Sequence, residues 1–404
     1  MTHAVQVSNC PRLVCHESEL IWKSAHGFGG RGRNRPAGRG VWRILRPAGS
    51  FAPGSVTQTS TINGPTTTTT FTSTTATIVT VSEGAQQAKV SSVTVGGAPQ
   101  GFAFNPTENT MYVALKNSSA VAVINAATNG VVTTIKLPVG SQPVALAYDS
   151  ANNLVYVSEL NATRVDVINS ATNALSSPVA VEDTTNGVAV NPSTNTVYLA
   201  SNDDDAMYFV DGGTSKVSIL QVHGGMPDNA QALVVDQATK NVIVGNWYGK
   251  RTAAQLGFVS DVNPSACLAT NTNSSYCVTK SMNLDGGQID GVAVNQNTGM
   301  IYVANYKASQ VNVVSEATGQ VVANVTVPSP YGILADASSN LVYVASLGSN
   351  SLVVMSGSTN AVLGTIPVGS GPIGIGLDTN DNAIYVANQN DGTISIIDGT
   401  SLLF

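Results

Sequence analysis

Charge is scarce in this chain: only 10% of its 404 residues are Asp, Glu, Lys or Arg, and their distribution is uneven. Eight of the 18 basic residues fall in the first 50 positions beside two acids, whereas residues 88–404 hold ten bases and 21 acids. The long C-terminal part is therefore acidic at net −11, which excludes nucleic acid as its ligand, since binding a phosphate backbone requires clustered Lys and Arg. Metal-binding side chains are equally few. After residue 87 the thiols are Cys267 and Cys277 and the one imidazole is His223, too few for a zinc centre that asks for four Cys, His or acidic ligands. No apolar run approaches the roughly 18 to 20 residues that span a bilayer. From residue 99 onward no window carries the 3.6-residue apolar period of an amphipathic helix, so a helical bundle is excluded as well.

What fills the chain instead is a repeat. Seven times between residues 99 and 398 a short apolar strand closes on Asn or Asp, turns, and is followed by a strand reading roughly Val-Tyr-Val-Ala, a polar loop and another apolar strand. The closing residues are Asn105, Asp149, Asn191, Asp236, Asn295, Asp336 and Asp378. Tyr recurs in six of the second strands, at 112, 156, 198, 302, 343 and 385, and Ile243 stands in the remaining one. The spacings are 44, 42, 104, 41 and 42 residues, the long one enclosing the fourth copy with an insertion. A period in the low forties built of strands is that of a four-stranded propeller blade. Val292-Ala293-Val294 and Ile301-Tyr302-Val303 are β-branched or aromatic runs bounded by Gly, Asn and Thr. Turns such as Asn105-Pro106-Thr107 pair an Asx acceptor with a Pro that fixes φ.

The last copy is one strand short, and Lys89 to Gly96 reads as an orphan fourth strand. Joining the two closes the ring and removes exposed sheet edges. The expected fold is all-β, a seven-bladed β-propeller over 88–404, preceded by a basic segment (1–54) and a Ser/Thr-rich stalk or linker (55–87).

The phrase Ile-Tyr-Val-Ala-Asn at 301–305 and 384–388, a Val-x-Val-Ile-Asn/Asp strand after it, and Thr-Ile-x-Val-Gly-x-x-Pro at 365–372 resemble the YVTN repeat family of β-propellers. The resemblance covers about three quarters of the chain and implies a bacterial secreted or archaeal surface-layer setting. It carries no activity, because propellers host many unrelated functions. Its geometry implies that the junctions between copies and the loops between second and third strands share one face, around the channel.

The compartment expected is extracellular or cell-surface. Seventeen of residues 55–82 are Ser or Thr, a composition unable to bury a core, read as a flexible stalk, O-glycosylated or unmodified. Asn117, Asn161, Asn273 and Asn324 head glycosylation sequons. A disulfide between Cys267 and Cys277 would pin the insertion Asn263 to Asn283, with a metal pair as the alternative. No signal peptide is visible in the first 50 residues. Gly27 to Arg35 resembles an Arg/Gly-rich nucleic-acid tail, against a disordered tail or a false start that displaces a real signal sequence.

At the channel mouth the junction residues are Gln100, Val144, Asn186, Gln231, Asp290, Tyr331 and Ile373. Asp290 is the one ionisable group there, and a general acid/base pair needs two with separated pKa values. The loop Trp247, Tyr248, Lys250, Arg251 and the neighbouring Tyr306 have the make-up of a binding hot spot, unless Trp247 merely packs over the blade-four insertion. Asp203-Asp204-Asp205 offers a calcium-type acidic run, more simply read as a solvated turn. One Trp in the repeats excludes a tryptophan-derived quinone and the repeated Trp docking motifs of quinone propellers. The expected function is a non-catalytic binding or structural module with a protein or glycan ligand and no cofactor. The alternative is a hydrolase or lyase centred on Asp290 and His223. The weakest reading is an intracellular RNA-associated protein acting through the basic tail. The oligomeric state is left open.

Overall fold

The computed structural model describes residues 77–79, 88–201, 206–221, 230–246, 257–266, 278–284 and 287–402. These form seven antiparallel sheets; in six of them the strands follow sequence order from the innermost outward, and in the seventh the two outer strands come from the start of the described chain. Blade 1 comprises Pro99–Asn105, Thr110–Leu115, Ala120–Asn125 and Gly130–Lys136. The innermost strands of blades 2 to 7 are Pro143–Asp149, Thr185–Asn191, Ala230–Val235, Ile289–Asn295, Pro330–Asp336 and Pro372–Asp378. Consecutive innermost strands lie side by side, and that of blade 7 touches that of blade 1, so the sheets form a closed ring. The fold is a seven-bladed β-propeller.

Closure is made as the sequence led us to expect. Ala88–Thr94 pairs antiparallel with Thr393–Asp398, running from Val90 opposite Ile397 to Thr94 opposite Thr393. The backbone N–H groups of Val95 and Gly96 then donate to Gly392 O at 3.0 and 2.8 Å. A further strand was hidden from composition: Thr77–Val79, inside the Ser/Thr-rich stretch, pairs with the outer edge of Ala88–Thr94 and makes blade 7 five-stranded. In blade 4 the fourth strand, Val278–Leu284, already begins inside the segment we read as an insertion. In blade 2 the outer strand is split into Ala174–Leu175 and Val179–Ala180, interrupted beside Pro178, which lacks a ladder donor.

All seven closing Asn/Asp residues do the same job. Each is buried or nearly so, and its Oδ1 accepts the backbone N–H two residues on, at 2.8 to 3.1 Å. That Asx turn satisfies a backbone donor where the ladder ends, so the chain reverses without an orphaned amide.

The described residues build no single core. Seven apolar clusters each straddle one seam between neighbouring blades, as where Tyr112, Val121 and Val123 of blade 1 meet Val155 and Val157 of blade 2. The repeated Tyr also stitches seams through its hydroxyl. Tyr112 donates to Asn173 Oδ1 at 2.7 Å, Tyr302 to Asn360 Oδ1 at 3.3 Å, and Tyr385 to Asn129 Oδ1 at 2.7 Å. Each acceptor is a turn Asn of the following blade with φ near +55 to +59°, a left-handed conformation that Asn tolerates. Burial pushes Tyr112 up to about 12, with Glu108 adding to it, so its hydroxyl remains a neutral donor. Ile243 offers no hydroxyl, and the seam between blades 4 and 5 uses other polar bonds: Thr239 Oγ1 donates to Glu316 Oε1 at 3.1 Å, and Lys280 Nζ donates to Glu316 O.

Candidate functional site

The candidate mouth residues occupy equivalent positions for a physical reason. Every innermost strand shifts register just after its first residue, and the shifts, from Pro99/Phe102 to Pro372/Gly374, enclose positions 100, 144, 186, 231, 290, 331 and 373. A bulge leaves its residue outside the ladder and re-aims the side chain. The residue after it lies against the next blade, which explains its size: a methyl built on Gly291 would stand 2.5 Å from Tyr331 O, and one on Gly374 would collide with Gln100 O. The backbone is drawn tight around the channel, and one side chain per blade is set at its mouth.

Blades 5 and 6 concentrate the chemistry. Tyr306, directly after the second strand Met300–Asn305, donates its backbone N–H to Gln288 O at 3.0 Å. Gln288 Nε2 donates to Asp290 Oδ2 at 3.2 Å, and the Tyr306 and Tyr331 rings meet edge to face, with centroids 6.4 Å apart at 80°. Burial, then the Asp290 carboxylate, then Tyr306 raise the Tyr331 phenol far above its ordinary value, so it stays a neutral donor. Elsewhere on the ring Gln100 Nε2 donates to Gln389 Oε1 at 3.3 Å across the closure, and Asn186 Nδ2 donates to Ala230 O at 3.5 Å. Gln231 and Val144 are half-buried and Ile373 is buried. The mouth thus offers two phenols, one carboxylate and several amides, which can hydrogen-bond and stack against a ligand.

Trp247, Tyr248, Arg251, His223, the Asp203 to Asp205 run, Cys267, Cys277 and Asn273 lie outside the described residues. Asn117, Asn161 and Asn324 are exposed, with Asn161 Nδ2 donating to Gly140 O at 2.9 Å and Asn324 Oδ1 accepting from Asn312 Nδ2 at 2.7 Å. Among the described residues no group of three or more His, Cys, Asp or Glu is placed to hold a metal ion, and no helix is long and apolar enough to cross a membrane. Sequence reasoning missed Gln288 and Gln389, whose part depends on which loops meet at the mouth.

Comparison with known proteins identifies the architecture. No family model and no curated protein matches the chain. Among solved structures it is similar to the hydrazine synthase of Kuenenia stuttgartiensis, with TM-score 0.65 and 15% identity over 76% of this chain and 96% of that one. It is also similar to a streptogramin B lyase, with TM-score 0.61 and 8% identity over the same shares of the two chains. At such identities the likeness shows the fold alone.

Proposed function

We propose that this chain is a secreted or cell-surface propeller that binds a glycan at its channel mouth without catalysing a reaction on it. The observation that carries the reading is the patch across blades 5 and 6, where Tyr306 and Tyr331 meet at 80° beside Asp290 and Gln288. Aromatic rings give a sugar an apolar face to stack on, while fixed amide and carboxylate groups take its hydroxyls. Catalysis by general acid and base asks for a second titratable group, and among the seven bulge positions Asp290 is the one carboxyl. The YVTN-like phrases, the low charge, the Ser/Thr-rich stretch and the sequons support the extracellular setting. That setting also expects Cys267 and Cys277 to be oxidised to one another, and an unreduced mass spectrum showing both as free thiols would remove this support.

The alternative reading, a hydrolase or lyase using Asp290 and His223, is separated by the same experiment. Wild-type chain and Tyr306→Ala are passed over an array of neutral oligosaccharides, and each retained glycan is re-examined for cleavage. The binding reading expects intact glycans and at least tenfold weaker retention by Tyr306→Ala, about 1.4 kcal/mol. Equal retention by the variant, no retention by either protein, or cleavage that Asp290→Asn abolishes would each overturn it.

A further inference from the structure

Blade 2 departs from its siblings just beneath the mouth. Glu159 ends the second strand, Leu154–Glu159, opposite Pro143. At that position the other blades carry Leu115, Ser201, Asn246, Asn305, Ser346 and Asn388, none of them charged. The third strand, Arg164–Asn169, is set with Asp166 opposite Val157, which brings Arg164 across from Glu159 and Asp166 diagonally beside it. Alternation places Glu159 and Asp166 on the face of Val155, Val157 and Ile168, which is turned to blade 1.

Glu159 and Asp166 are 0% and 3% exposed, and Ser141, in the junction above them, is 2% exposed. Arg164 lies along one edge of the pair, with Nη2 at 3.3 Å from Glu159 Oε2 and Nε at 2.9 Å from Asp166 Oδ1. Three further buried oxygens, Glu159 Oε1, Asp166 Oδ2 and Ser141 Oγ, make no hydrogen bond, and Glu159 Oε2 is met by the guanidinium alone. Blade 1 turns Val121, Val123, Ile135 and Leu137 toward this seam, and the charges acting on Glu159 are those of Asp166 and Arg164, both of blade 2. Two ionised carboxylates against one guanidinium would leave a negative charge uncompensated in a buried seam, which is costly. A metal ion there would face the guanidinium that already occupies the cationic edge. A proton has no such conflict, and it also supplies a missing hydrogen-bond donor.

We propose that Glu159 keeps its proton at neutral pH and donates it to Asp166, that this hydrogen bond locks the seam between blades 1 and 2, and that its loss in alkali loosens the seam beneath the mouth. The electrostatics agree: burial first, then Asp166, with Arg164 and Ser141 opposing, push the Glu159 carboxyl from 4.5 up to about 9.

The test is the infrared spectrum of the folded full-length chain in a Glu316→Gln background, because Glu316, pushed to about 7 by burial and Asp236, is another buried carboxyl that can hold a proton near neutrality. At pH 7 the background protein should show a protonated carboxyl band that vanishes when Glu159→Gln is added and that titrates away only in alkali. Its melting temperature should fall from pH 6 to pH 10, and Glu159→Gln should flatten that fall. A spectrum unchanged by Glu159→Gln, or parallel falls in melting temperature, would overturn the proposal. Should Glu159→Gln fail to fold, Glu159→Asn with Asp166→Asn takes its place in the same comparison, because burial also raises Asp261 and Asp378 and an unassigned band does not separate them; no protonated carboxyl band at pH 7 in the background protein refutes the proposal outright.

Discussion

Blades 2 and 5 place polar side chains at the same two repeat positions and arrive at opposite electrostatics. In blade 5 Asn305 Nδ2 donates to Asn312 Oδ1 at 3.1 Å, and Asn312 Nδ2 donates to Asn324 Oδ1 at 2.7 Å, a ladder of neutral amides running outward along the blade. In blade 2 the equivalents are Glu159 and Asp166, with Arg164 where blade 5 has Gln310, and buried oxygens are left without partners. The repeat thus fixes where a polar group sits, while the residue chosen decides whether that group is an inert brace or a proton-holding one. Blade 5 carries Asp290 and Tyr306 above its amide ladder. A neutral, satisfied ladder holds the proposed binding patch in place at any pH, whereas the proposed proton in blade 2 makes its sector of the ring sensitive to pH.

The comparison assumes a closed ring, and breaking closure should have the largest effect. Deleting Ala88 to Gly96 removes the clasp strand that pairs along Thr393–Asp398. Calorimetry should find cooperative unfolding lost, or the melting temperature lowered on the order of 10 °C or more, given roughly 2 to 4 °C per kcal/mol in chains of this kind. A deletion of residues 1–54 should melt close to the wild type. Comparable losses in the two truncations would mean that the clasp is not what closes the ring.

Exchanging the pairs tests the comparison itself. Giving blade 5 the carboxyls of blade 2, by Asn305→Glu with Asn312→Asp, places two acids beside Gln310 with no guanidinium between them. Denaturant unfolding at pH 8 should show a loss of about 3 to 5 kcal/mol, the scale of an uncompensated buried charge, and a much smaller loss at pH 4. Equal losses at both pH values would show that packing, and not charge, separates the two blades.

A smaller effect should follow from removing one hydrogen bond between neutral side chains. Tyr385→Phe deletes the hydroxyl that reaches Asn129 from blade 7 to blade 1 and should cost about 1 kcal/mol. The cost should not vary between pH 5 and pH 9, because burial, with Asp378 and Asp381 adding to it, holds that phenol neutral throughout. A cost that grows with pH would mean that the Tyr385 phenol does not stay neutral over that range.

How much of this was legible in sequence follows from the range over which each feature is specified. The Asx residues act within two residues of themselves, and the Tyr period reports blade length, so the fold and its closure could be read directly. The partners of the Tyr hydroxyls could not: Tyr112 and Asn173 are 61 residues apart and meet only across a seam. Mouth positions followed from the junction prolines, but the bulges that aim those side chains follow from strand register. The buried pair escaped because no single strand shows that Glu159 and Asp166 meet; register brings them together beside Ser141. Thr77–Val79 escaped because a Ser/Thr-rich composition describes a tract and not its last strand.

The most direct measurement is the pH dependence of thermal unfolding for the wild type against Glu159→Asn with Asp166→Asn, which gives blade 2 the pair of blade 5. A carboxyl raised in the folded state holds its proton after the unfolded chain has released its own. Stability is therefore full below the ordinary carboxylate range and is lost as pH climbs from about 4.5 toward 7 for Glu316 and toward 9 for Glu159. The account predicts that both proteins lose stability up to about pH 7, and that above it the wild type continues to fall while the double variant levels off. Parallel curves from pH 7 to pH 9 would contradict it.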